Sequence, residues 1–505
     1  MKKNASGYRL VFGYLGIFLV LIGLIVISPL IVLFFYPAEA GVAVNFYPVG
    51  LGSIVLGVSL SLILLKGRDK KRLGKYQDFM LISMIWVSAI IIGSLPFLFR
   101  GDMNFTNSVF EATSGFTTTG LSVFDFASNT NLYGYHVYTL YRSLLMFFGG
   151  VGLVLVLVSA LSDRYGMRLY SSEGHTDRLL PNLAKSSRFI LSIYLGIIVV
   201  GALAYTFSGM DFFDAINHSI AAVGTGGFST NPNGILFVGG NTIAIEIISI
   251  LLMMAGATNF MIHLFIIQGK FKKVIRDLEV RFILVLLMIF IPLFVIAIYY
   301  SNSLGGIGAV SFYDSLRLGS FYMVSSITTT GFNSFQPIAE LGPAVILMSC
   351  CLMLVGGAAG STAGGIKLSR VFIALKEMYY TLFDRVSSKR VLKPRIYYRY
   401  GEEKELDNEV FKESTSYLFL YILVLFVGAL VITLFPAGVS FKDAIFESSS
   451  ALATTGLSVG VTHASQHPGI LWVLTILMLF GRLEIMTIYY SFLRLSRDIL
   501  GKETI

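Results

Sequence analysis

Long apolar stretches separated by short polar ones run along the whole chain. Ten stretches are long enough to cross a bilayer, since a transmembrane helix needs about 20 apolar residues. They cover residues 10–36, 49–65, 78–99, 136–161, 189–208, 241–268, 282–300, 343–366, 415–435 and 469–493. The first stretch is longer than the about 7–15 apolar residues of a signal peptide, so we expect it to be retained. The pattern predicts an all-α polytopic membrane protein with ten transmembrane helices.

The charges agree with this pattern and orient it. With the N-terminus inside, the inner segments hold 33 of the 38 Lys and Arg residues, as the positive-inside rule requires. The net charge of +9 therefore indicates topology rather than nucleic-acid binding. Both termini are predicted to be cytoplasmic.

One short polar phrase occurs four times between apolar stretches. The copies are TSGFTTTGLS at 113–122, AVGTGGFST at 222–230, SSITTTGFNS at 325–334 and ALATTGLSVG at 451–460. Each follows a short apolar segment: Phe105–Phe116, Phe212–Val223, Leu316–Ile327 and Phe441–Leu452. At 1.5 Å per residue, such a helix reaches about halfway across a bilayer core of ~30 Å. The chain therefore predicts four units of span, half-helix, polar loop and span, all with the same orientation, after two additional spans.

These residue types suit a cation at the centre of the four units. Irregular backbone at membrane depth must line water or be buried in protein, and rings of backbone carbonyls can replace the hydration shell of potassium. Glycine adopts positive φ easily, threonine adds a hydroxyl oxygen, and the C-terminal ends of the half-helices favour a cation. A single copy would equally suit close helix packing through small residues, but four copies after half-length helices favour a pore. The predicted potassium filter comprises Thr117, Thr118, Thr119, Gly120, Val223, Gly224, Thr225, Gly226, Gly227, Ile327, Thr328, Thr329, Thr330, Gly331, Ala453, Thr454, Thr455 and Gly456.

The predicted outer segments are rich in acidic residues. They carry Glu39, Asp102, Glu111, Asp125, Asp211, Asp214, Asp314, Glu340, Asp443 and Glu447, with few bases, namely Arg100, Arg142, Arg317 and Lys442. Such acids can form a mouth that concentrates cations. They can also cap the half-helices, because acids stabilise a helix N-terminus. Both interpretations stay open, and Glu246, in the second span of unit two, has no assigned role.

The four phrases, the two preceding spans and GGAAGSTAGGIK at 356–367 together resemble the TrkH/TrkG–KtrB–HKT superfamily of potassium transporters, the TrkH branch most closely. The resemblance covers essentially the whole chain and implies potassium uptake through a pseudo-fourfold pore built by one subunit. In that family a glycine in each filter accompanies potassium selectivity, and all four positions are glycine here. The second loop is glycine-heavy and the fourth begins with Ala453, so the four loops differ in side chains. The implied division is 1–77 as an N-terminal extension, then four pore repeats at 78–188, 189–281, 282–413 and 414–505.

A glycine cluster interrupts the second span of unit three. Each glycine costs about 1 kcal/mol relative to alanine in a helix, so an unbroken helix is disfavoured, and the corresponding spans of the other units lack such a cluster. A phosphate-binding loop needs adjacent Gly-Lys-Ser/Thr, whereas Ile366 separates Gly365 from Lys367. Close packing remains an alternative; we favour an intramembrane gate, and the resemblance implies the same. Candidate gate residues are Gly356, Gly357, Gly360, Ser361, Thr362, Gly364, Gly365, Lys367 and Arg482.

Arg482 lies within the last apolar stretch. A charge at the bilayer centre costs about 2.5–3.5 kcal/mol on insertion scales, so it should face the protein interior. Glu484 is two residues further on and points elsewhere on a helix. Arg482 is therefore expected either to be a structural tie or to bond carbonyls of the broken loop and repel cations; the resemblance places an arginine at the matching position.

Two other function classes fit the sequence less well. Secondary transporters with a midplane site usually show inverted repeats, whereas these units share one orientation. The spans contain no paired catalytic carboxylates, metal-ligand cluster or nucleophile–base set, and the adjacent Cys350 and Cys351 imply no disulfide framework. We therefore expect a transporter and not an enzyme.

The resemblance also implies a setting and partners. It implies a prokaryotic plasma membrane, a homodimer in lipid, and a TrkA-like cytosolic nucleotide-binding subunit docked on the inner face. The basic inner segment 367–413, with Lys389, Arg390 and Lys393, suits such docking or anionic lipid. This chain has no nucleotide motif, so nucleotide sensitivity would reside in the partner.

Overall fold

The protein is described by a computed structural model. The structure describes residues 2–66, 77–124, 134–153, 155, 183–231, 234–237, 239–303, 311–334, 338–386 and 395–499. Asp125, Lys389, Arg390 and Lys393, which the sequence placed at the outer or inner surface, lie outside these residues.

The first two long helices form a closely packed pair. Helix α1 (Lys2–Ile27) continues into a 3-10 turn (Ser28–Phe34), and after a second 3-10 turn (Pro37–Glu39) and the short α2 (Ala40–Ala43), α3 (Phe46–Leu65) returns. Glycines allow the two backbones to approach, as in other membrane helix pairs. A Cβ on Gly57 would lie 2.5 Å from the Gly16 carbonyl oxygen, and one on Gly23 would lie 2.6 Å from that of Gly50.

The remaining helices follow in the order that the sequence predicts. Unit one contains α4 (Gln77–Arg100), α5 (Phe105–Phe116) and α6 (His136–Val151). Unit two contains α7 (Leu183–Phe207), α8 (Phe212–Val223), α9 (Thr242–Gly256) and α10 (Phe260–Ile267), and the short α11 (Phe271–Arg276) leads into unit three. Unit three contains α12 (Leu278–Ser303), α13 (Phe312–Ile327), α14 (Pro343–Val355) and α15 (Leu368–Val386). Unit four contains α16 (Asn408–Thr433), α17 (Phe441–Leu452), α18 (Pro468–Arg482) and α19 (Ile485–Ile499).

The four half-helices α5, α8, α13 and α17 form where the short apolar segments lie. Three match their predicted bounds, and α13 begins four residues earlier, at Phe312. A polar side chain accepts a hydrogen bond from a backbone N–H at each N-terminus; these caps are Asn104, Asp211, Ser311 and Ser440. Such a cap satisfies one of the backbone donors that a helix leaves unpaired. The early start of α13 follows from Ser311.

The second spans of the units are broken rather than continuous, contrary to the predicted stretches 136–161, 241–268 and 469–493. Helix α6 ends at Val151, and Gly152, which follows it, has a φ of 95°. The axes of α9 and α10 bend by 107°, and those of α18 and α19 by 99°. Unit three is broken as predicted, between Val355 and Leu368. The other breaks need no glycine cluster, since Asn259 caps α10 and Glu484 adopts a φ of 57°.

Six described helices are long and apolar enough to cross a membrane, or up to eight if each bent pair is one span. The shorter α14 is apolar as well, and α6 runs toward residues that the structure does not describe. The chain is thus a polytopic helical protein, and the count of ten spans stays a prediction.

One small sheet lies between α15 and α16. Strands β1 (Ile396–Arg399) and β2 (Glu402–Glu405) pair as an antiparallel hairpin, with Arg399 opposite Glu402. Its buried Tyr397 joins Ile373 and Tyr380 of α15 and Leu278 of α12 in a small apolar cluster separate from the main core. The hairpin is therefore packed against the helices of unit three.

Two glycines of α3 provide a test of the α1–α3 pair. Gly57→Ala places a methyl group against α1, and overpacking of this kind costs about 1–3 kcal/mol. Gly52→Ala is the matched control, because nothing lies within 4 Å of its added Cβ. We expect Gly57→Ala to lower the thermal unfolding midpoint in detergent by several degrees and Gly52→Ala to leave it unchanged or higher. Equal midpoints for the two variants would contradict the close contact.

Candidate functional site: a ring of glycine loops

The four polar phrases adopt one backbone conformation. We call the segments 117–120, 224–227, 328–331 and 453–456 the glycine loops. In each, the threonine two positions before the last glycine is left-handed, with φ of 53° at Thr118, 49° at Thr225, 52° at Thr329 and 51° at Thr454. Non-glycine residues rarely adopt this region. Four such residues at equivalent positions show that the surrounding structure imposes the conformation.

Hydrogen bonds attach each loop to its own half-helix. The backbone N–H of the residue before the last glycine donates to the carbonyl of the residue five positions back. The donor–acceptor distances are 2.9 Å for Thr119, 2.8 Å for Gly226, 3.0 Å for Thr330 and 2.8 Å for Thr455. The donors of the loops are thus used within the units. The carbonyl oxygens of the same residues remain available to the neighbouring unit.

The last glycines link the four loops in a closed cycle. A Cβ on Gly120 would lie 2.1 Å from the Gly226 carbonyl oxygen, and one on Gly227 would lie 2.0 Å from that of Thr330. The corresponding distances are 1.8 Å from Gly331 to the Thr455 oxygen and 2.1 Å from Gly456 to the Thr119 oxygen. Each glycine therefore faces a carbonyl of the next unit, and the fourth unit returns to the first. All four glycines also have positive φ, from 71° to 92°, so no other residue fits.

The threonine hydroxyls of the loops differ from unit to unit. Those of Thr117 and Thr328 donate to the preceding helical turn and pair with Thr119 and Thr330, respectively. The Thr225 hydroxyl donates to the Gly224 carbonyl, 2.8 Å away. Among the described residues, the buried hydroxyls of Thr118, Thr454 and Thr455 have no hydrogen-bond partner. Hydroxyl oxygens without a protein partner are suitable ligands for a cation.

The structure thus brings the predicted filter residues together, except that two of them belong to the half-helices rather than to the loops. Val223 and Ile327 are the last residues of α8 and α13, and the residues after them cap these helices. The loops of units two and three therefore begin one residue later than predicted, whereas those of units one and four begin as predicted.

In each unit, the residue nine positions before the last glycine lies behind the loop. Its side chain accepts hydrogen bonds from residues that follow the glycine. The first of these is Glu111, which accepts hydrogen bonds from the Ser122 hydroxyl at 3.1 Å and the Val123 N–H at 3.1 Å. The last is Glu447, which accepts from the Ser458 hydroxyl at 2.7 Å and the Val459 N–H at 3.3 Å. Both carboxyl groups are fully buried. These two acids therefore do not line an exposed acidic mouth.

The other two units use different chemistry at the same position. His218 Nε2 accepts from the Ser229 hydroxyl at 3.0 Å, since its Nδ1 lies 2.8 Å from the Asp214 carbonyl. The Tyr322 hydroxyl accepts from the Ser334 N–H at 3.2 Å. Sequence comparison detects Glu111 and Glu447 as a matching pair, but not the histidine and tyrosine that share their role.

Two arginines, each in an ion pair, link neighbouring units. Arg142 of α6 contacts Glu111 at 2.8 Å and the Ser229 carbonyl of unit two at 3.4 Å. Arg317 of α13 contacts Glu246 of α9 at 2.8 Å, and Glu246 also accepts from the Ser334 hydroxyl. The unassigned Glu246 is therefore an inter-unit contact, and neither arginine is an isolated base at an outer mouth.

Most other outer acids that the structure describes act at helix ends. Asp314 and Asp443 accept from the cap hydroxyls of Ser311 and Ser440, and donate their own N–H groups in return. Glu39 accepts from the first two N–H groups of α6, both at 2.9 Å. These contacts favour helix capping over a concentration of free acids.

The break in unit three places a loop directly against the glycine loops. We call residues 356–367 the unit-three loop. Its Gly364 N–H donates to the Thr329 hydroxyl at 2.7 Å, and a Cβ on Gly364 would lie 2.2 Å from the Ala453 carbonyl. The Thr362 hydroxyl lies 2.9 Å from the carbonyl oxygens of both Val223 and Gly256 and shares its single hydrogen between them. The loop therefore contacts units two, three and four at the ends of the half-helices.

Arg482 joins this loop to unit one. Its guanidinium donates to the Thr362 carbonyl at 3.0 Å and to the Gly150 carbonyl at 3.0 Å, and it also contacts the Gly149 carbonyl. Glu484 bonds Arg370 instead, at 3.0 Å, as expected from its place two residues away. Lys367 donates to the Ala363 carbonyl within the loop. The contact between Arg482 and the loop agrees with the predicted geometry, while its effect on ions remains a prediction.

A cavity of about 250 Å³ borders the unit-three loop. Charged side chains line it: Lys367, Arg370, Arg399, Glu413, Arg482 and Glu484. Four of these six side chains are basic and two are acidic, and Arg370 and Glu484 are paired with each other. No group of three or more His, Cys, Asp or Glu side chains able to hold a metal ion occurs in the described part of the chain.

Comparisons with known proteins agree with this architecture. The Trk system potassium uptake protein TrkH of Salmonella typhimurium is 29% identical over 510 residues, covering 96% of this chain and 98% of the relative. TrkG of Escherichia coli is 29% identical over 508 residues, with 97% and 98% covered. The crystal structure of the potassium transporter TrkH from Vibrio parahaemolyticus matches with a TM-score of 0.81 at 25% identity, over 95% of this chain and 98% of that one. The family model of the TrkH cation transport proteins matches residues 53–498, and the chain therefore belongs to the TrkH family.

Proposed function

We propose that this protein takes up potassium across the plasma membrane through the ring of glycine loops. The closed cycle of glycine–carbonyl contacts carries the proposal, since it sets four backbone segments around one centre. The names of the relatives, potassium uptake proteins, agree with that ion. On this proposal the four units form a pseudo-fourfold pore within ten spans, and the loops are its selectivity filter.

The ring favours a cation without a fixed charge at its centre. Each loop follows the C-terminal end of a half-helix, where the helix dipole places a partial negative charge. The carbonyls and the hydroxyls of Thr118, Thr454 and Thr455 supply oxygen ligands in place of hydration water. The acids behind the ring act through hydrogen bonds to the backbone, so they hold the loops in place instead of binding the ion.

The unit-three loop is the proposed gate. It contacts Thr329 and Ala453 of the filter and is held by Arg482. A potassium ion leaving the ring on this side meets the loop backbone and the guanidinium group. Conduction therefore requires the loop to move, and Arg482 both fixes the loop and repels the ion.

A homodimer and a TrkA-like cytosolic nucleotide-binding subunit complete the proposal. The relatives are named as components of a Trk system, which agrees with a multi-component uptake system. The excess of Lys and Arg in the segments assigned to the inside supports docking there.

Ion flux in reconstituted vesicles tests the transport function. Purified protein should accumulate rubidium or potassium, and excess sodium should compete weakly. Absence of rubidium uptake by protein that is folded and inserted would reject potassium transport, whereas uptake of an organic solute would favour a secondary transporter.

The filter glycines should control selectivity. Gly120→Ser forces the Gly226 carbonyl outward, because its Cβ would lie 2.1 Å away. We expect the sodium-to-potassium permeability ratio to rise about tenfold, which corresponds to ~1.4 kcal/mol. Gly460→Ser is the matched control, since Gly460 also has positive φ but nothing within 4 Å. An unchanged ratio in well-folded Gly120→Ser protein would remove Gly120 from the filter.

The gate and Arg482 should act as one element. Shortening the unit-three loop should raise basal rubidium uptake without changing selectivity, and Arg482→Ala should raise it too. The double variant should show no further increase, because both changes release the same loop. Uptake is measured in vesicles at matched protein amounts. Additive gains would mean that Arg482 acts separately, and lower uptake with a lower unfolding midpoint would make it a structural tie.

A further inference from the structure

The turn of the β1–β2 hairpin contains a tyrosine in a conformation that suits other residues better. Tyr400 and Gly401 form the two-residue turn and both have positive φ, 56° and 77°. Turns of this type favour Asn-Gly, because asparagine tolerates the left-handed region far better than an aromatic residue. A Cβ on Gly401 would lie 2.6 Å from Lys273 of α11. The turn is thus fitted against α11 with a strained tyrosine at its tip, and strain of this kind points to a function.

The tyrosine reaches the break between α9 and α10. Its hydroxyl accepts a hydrogen bond from Asn259 Nδ2 at 3.1 Å. The same amide nitrogen donates to the Ala359 carbonyl of the unit-three loop, while Asn259 Oδ1 accepts from the Met261 N–H at 2.7 Å. Since an amide NH2 carries two hydrogens, the Asn259 side chain can bond the unit-three loop, the hairpin and the start of α10 at the same time.

A second route joins Tyr400 and Ala359 through the side-chain carboxylates of Asp277 and Glu279, which accept from backbone N–H groups. The Tyr400 N–H donates to Asp277 Oδ2 at 3.0 Å, and Asp277 Oδ1 accepts from the Glu279 N–H at 2.9 Å. Glu279 in turn accepts from the Ala359 N–H at 3.0 Å. Both the N–H and the carbonyl of Ala359 are therefore connected to Tyr400 through a single intermediate segment each.

We propose that Tyr400 is a positioning residue that holds the unit-three loop in its resting place, so that movement of the hairpin changes the rate of ion uptake. The inference rests on the proposed role of the loop as gate. The four residues of β2 are exposed, and the hairpin is therefore accessible to whatever moves it.

Four variants test the connection by rubidium uptake into vesicles at matched protein amounts. Tyr400→Phe removes only the hydroxyl, and Asn259→Asp keeps the cap on α10 but replaces the donor. Tyr398→Phe is the matched control, because that hydroxyl contacts Glu403 on the hairpin itself. Tyr400→Asn removes the hydroxyl and relieves the turn. A hydrogen bond of typical strength predicts a roughly threefold to tenfold rise in basal uptake for Tyr400→Phe and Asn259→Asp, with no rise for Tyr398→Phe.

Two further readouts separate positioning from general stability. Tyr400→Asn should raise both uptake and the thermal unfolding midpoint, whereas a merely structural tyrosine would give no gain in uptake. The double variant Tyr400→Phe with Asn259→Asp should not exceed the larger single effect, because one change acts through the other.

The possible outcomes distinguish failure of this inference from failure of the proposed function. Wild-type uptake in Tyr400→Phe, an equal rise in Tyr398→Phe, or additivity with Asn259→Asp would each overturn the inference while leaving potassium transport intact. Failure of the wild-type protein to take up rubidium would reject the proposed function and this inference with it.

Discussion

The contact between each loop glycine and the carbonyl oxygen of the next unit is the constraint on which the rest of the structure depends. The space at these four points is smaller than a methyl group, and the backbone there is left-handed. Each loop therefore takes its position from its neighbour as well as from its own half-helix. Because the cycle closes, displacement of one carbonyl is transmitted to the next glycine, and the four loops behave as one rigid ring.

Such a ring needs support that side chains within it do not provide. The support comes from behind, where the residue nine positions before each glycine holds the chain after the glycine. Glutamate, histidine and tyrosine all do this by accepting hydrogen bonds from serine or backbone groups. The backbone symmetry of the ring is thus maintained by chemically unequal side chains. The two glutamates behind the ring therefore fix its geometry, and on the proposed function the ion would meet only neutral oxygens in the ring.

Local signals in the sequence predicted the parts of this arrangement that depend on local physics. The half-helices were predictable because a cap such as Asn104 or Ser440 precedes a short apolar segment. The loops were predictable because the four Thr/Gly phrases repeat. Breaks in the second spans were missed wherever no glycine cluster marks them, as at Asn259, whose partners lie in loop 356–367 and the hairpin. The inter-unit ion pair of Glu246 could likewise not be predicted from the sequence, since its partner Arg317 is 71 residues away along the chain.

The contacts of the unit-three loop also determine how much free energy its movement requires. Four hydrogen bonds hold residues 362–364 at its centre: one from the Thr362 hydroxyl, one from the Thr362 N–H to the Gly256 carbonyl, one from Gly364 to Thr329 and one from Arg482. At about 0.5–1.5 kcal/mol each, they sum to ~2–6 kcal/mol. Moving a two-state equilibrium from 1:99 to 99:1 takes about 5.5 kcal/mol of differential binding. On the proposal that this loop is the gate, a partner that bound its released form more tightly by a free energy of this size would shift the equilibrium toward release. Release of the loop would also free the Thr329 hydroxyl, but the glycine–carbonyl contacts that set the positions of the four loops do not involve the unit-three loop, so the proposed gate can open while the ring keeps its geometry.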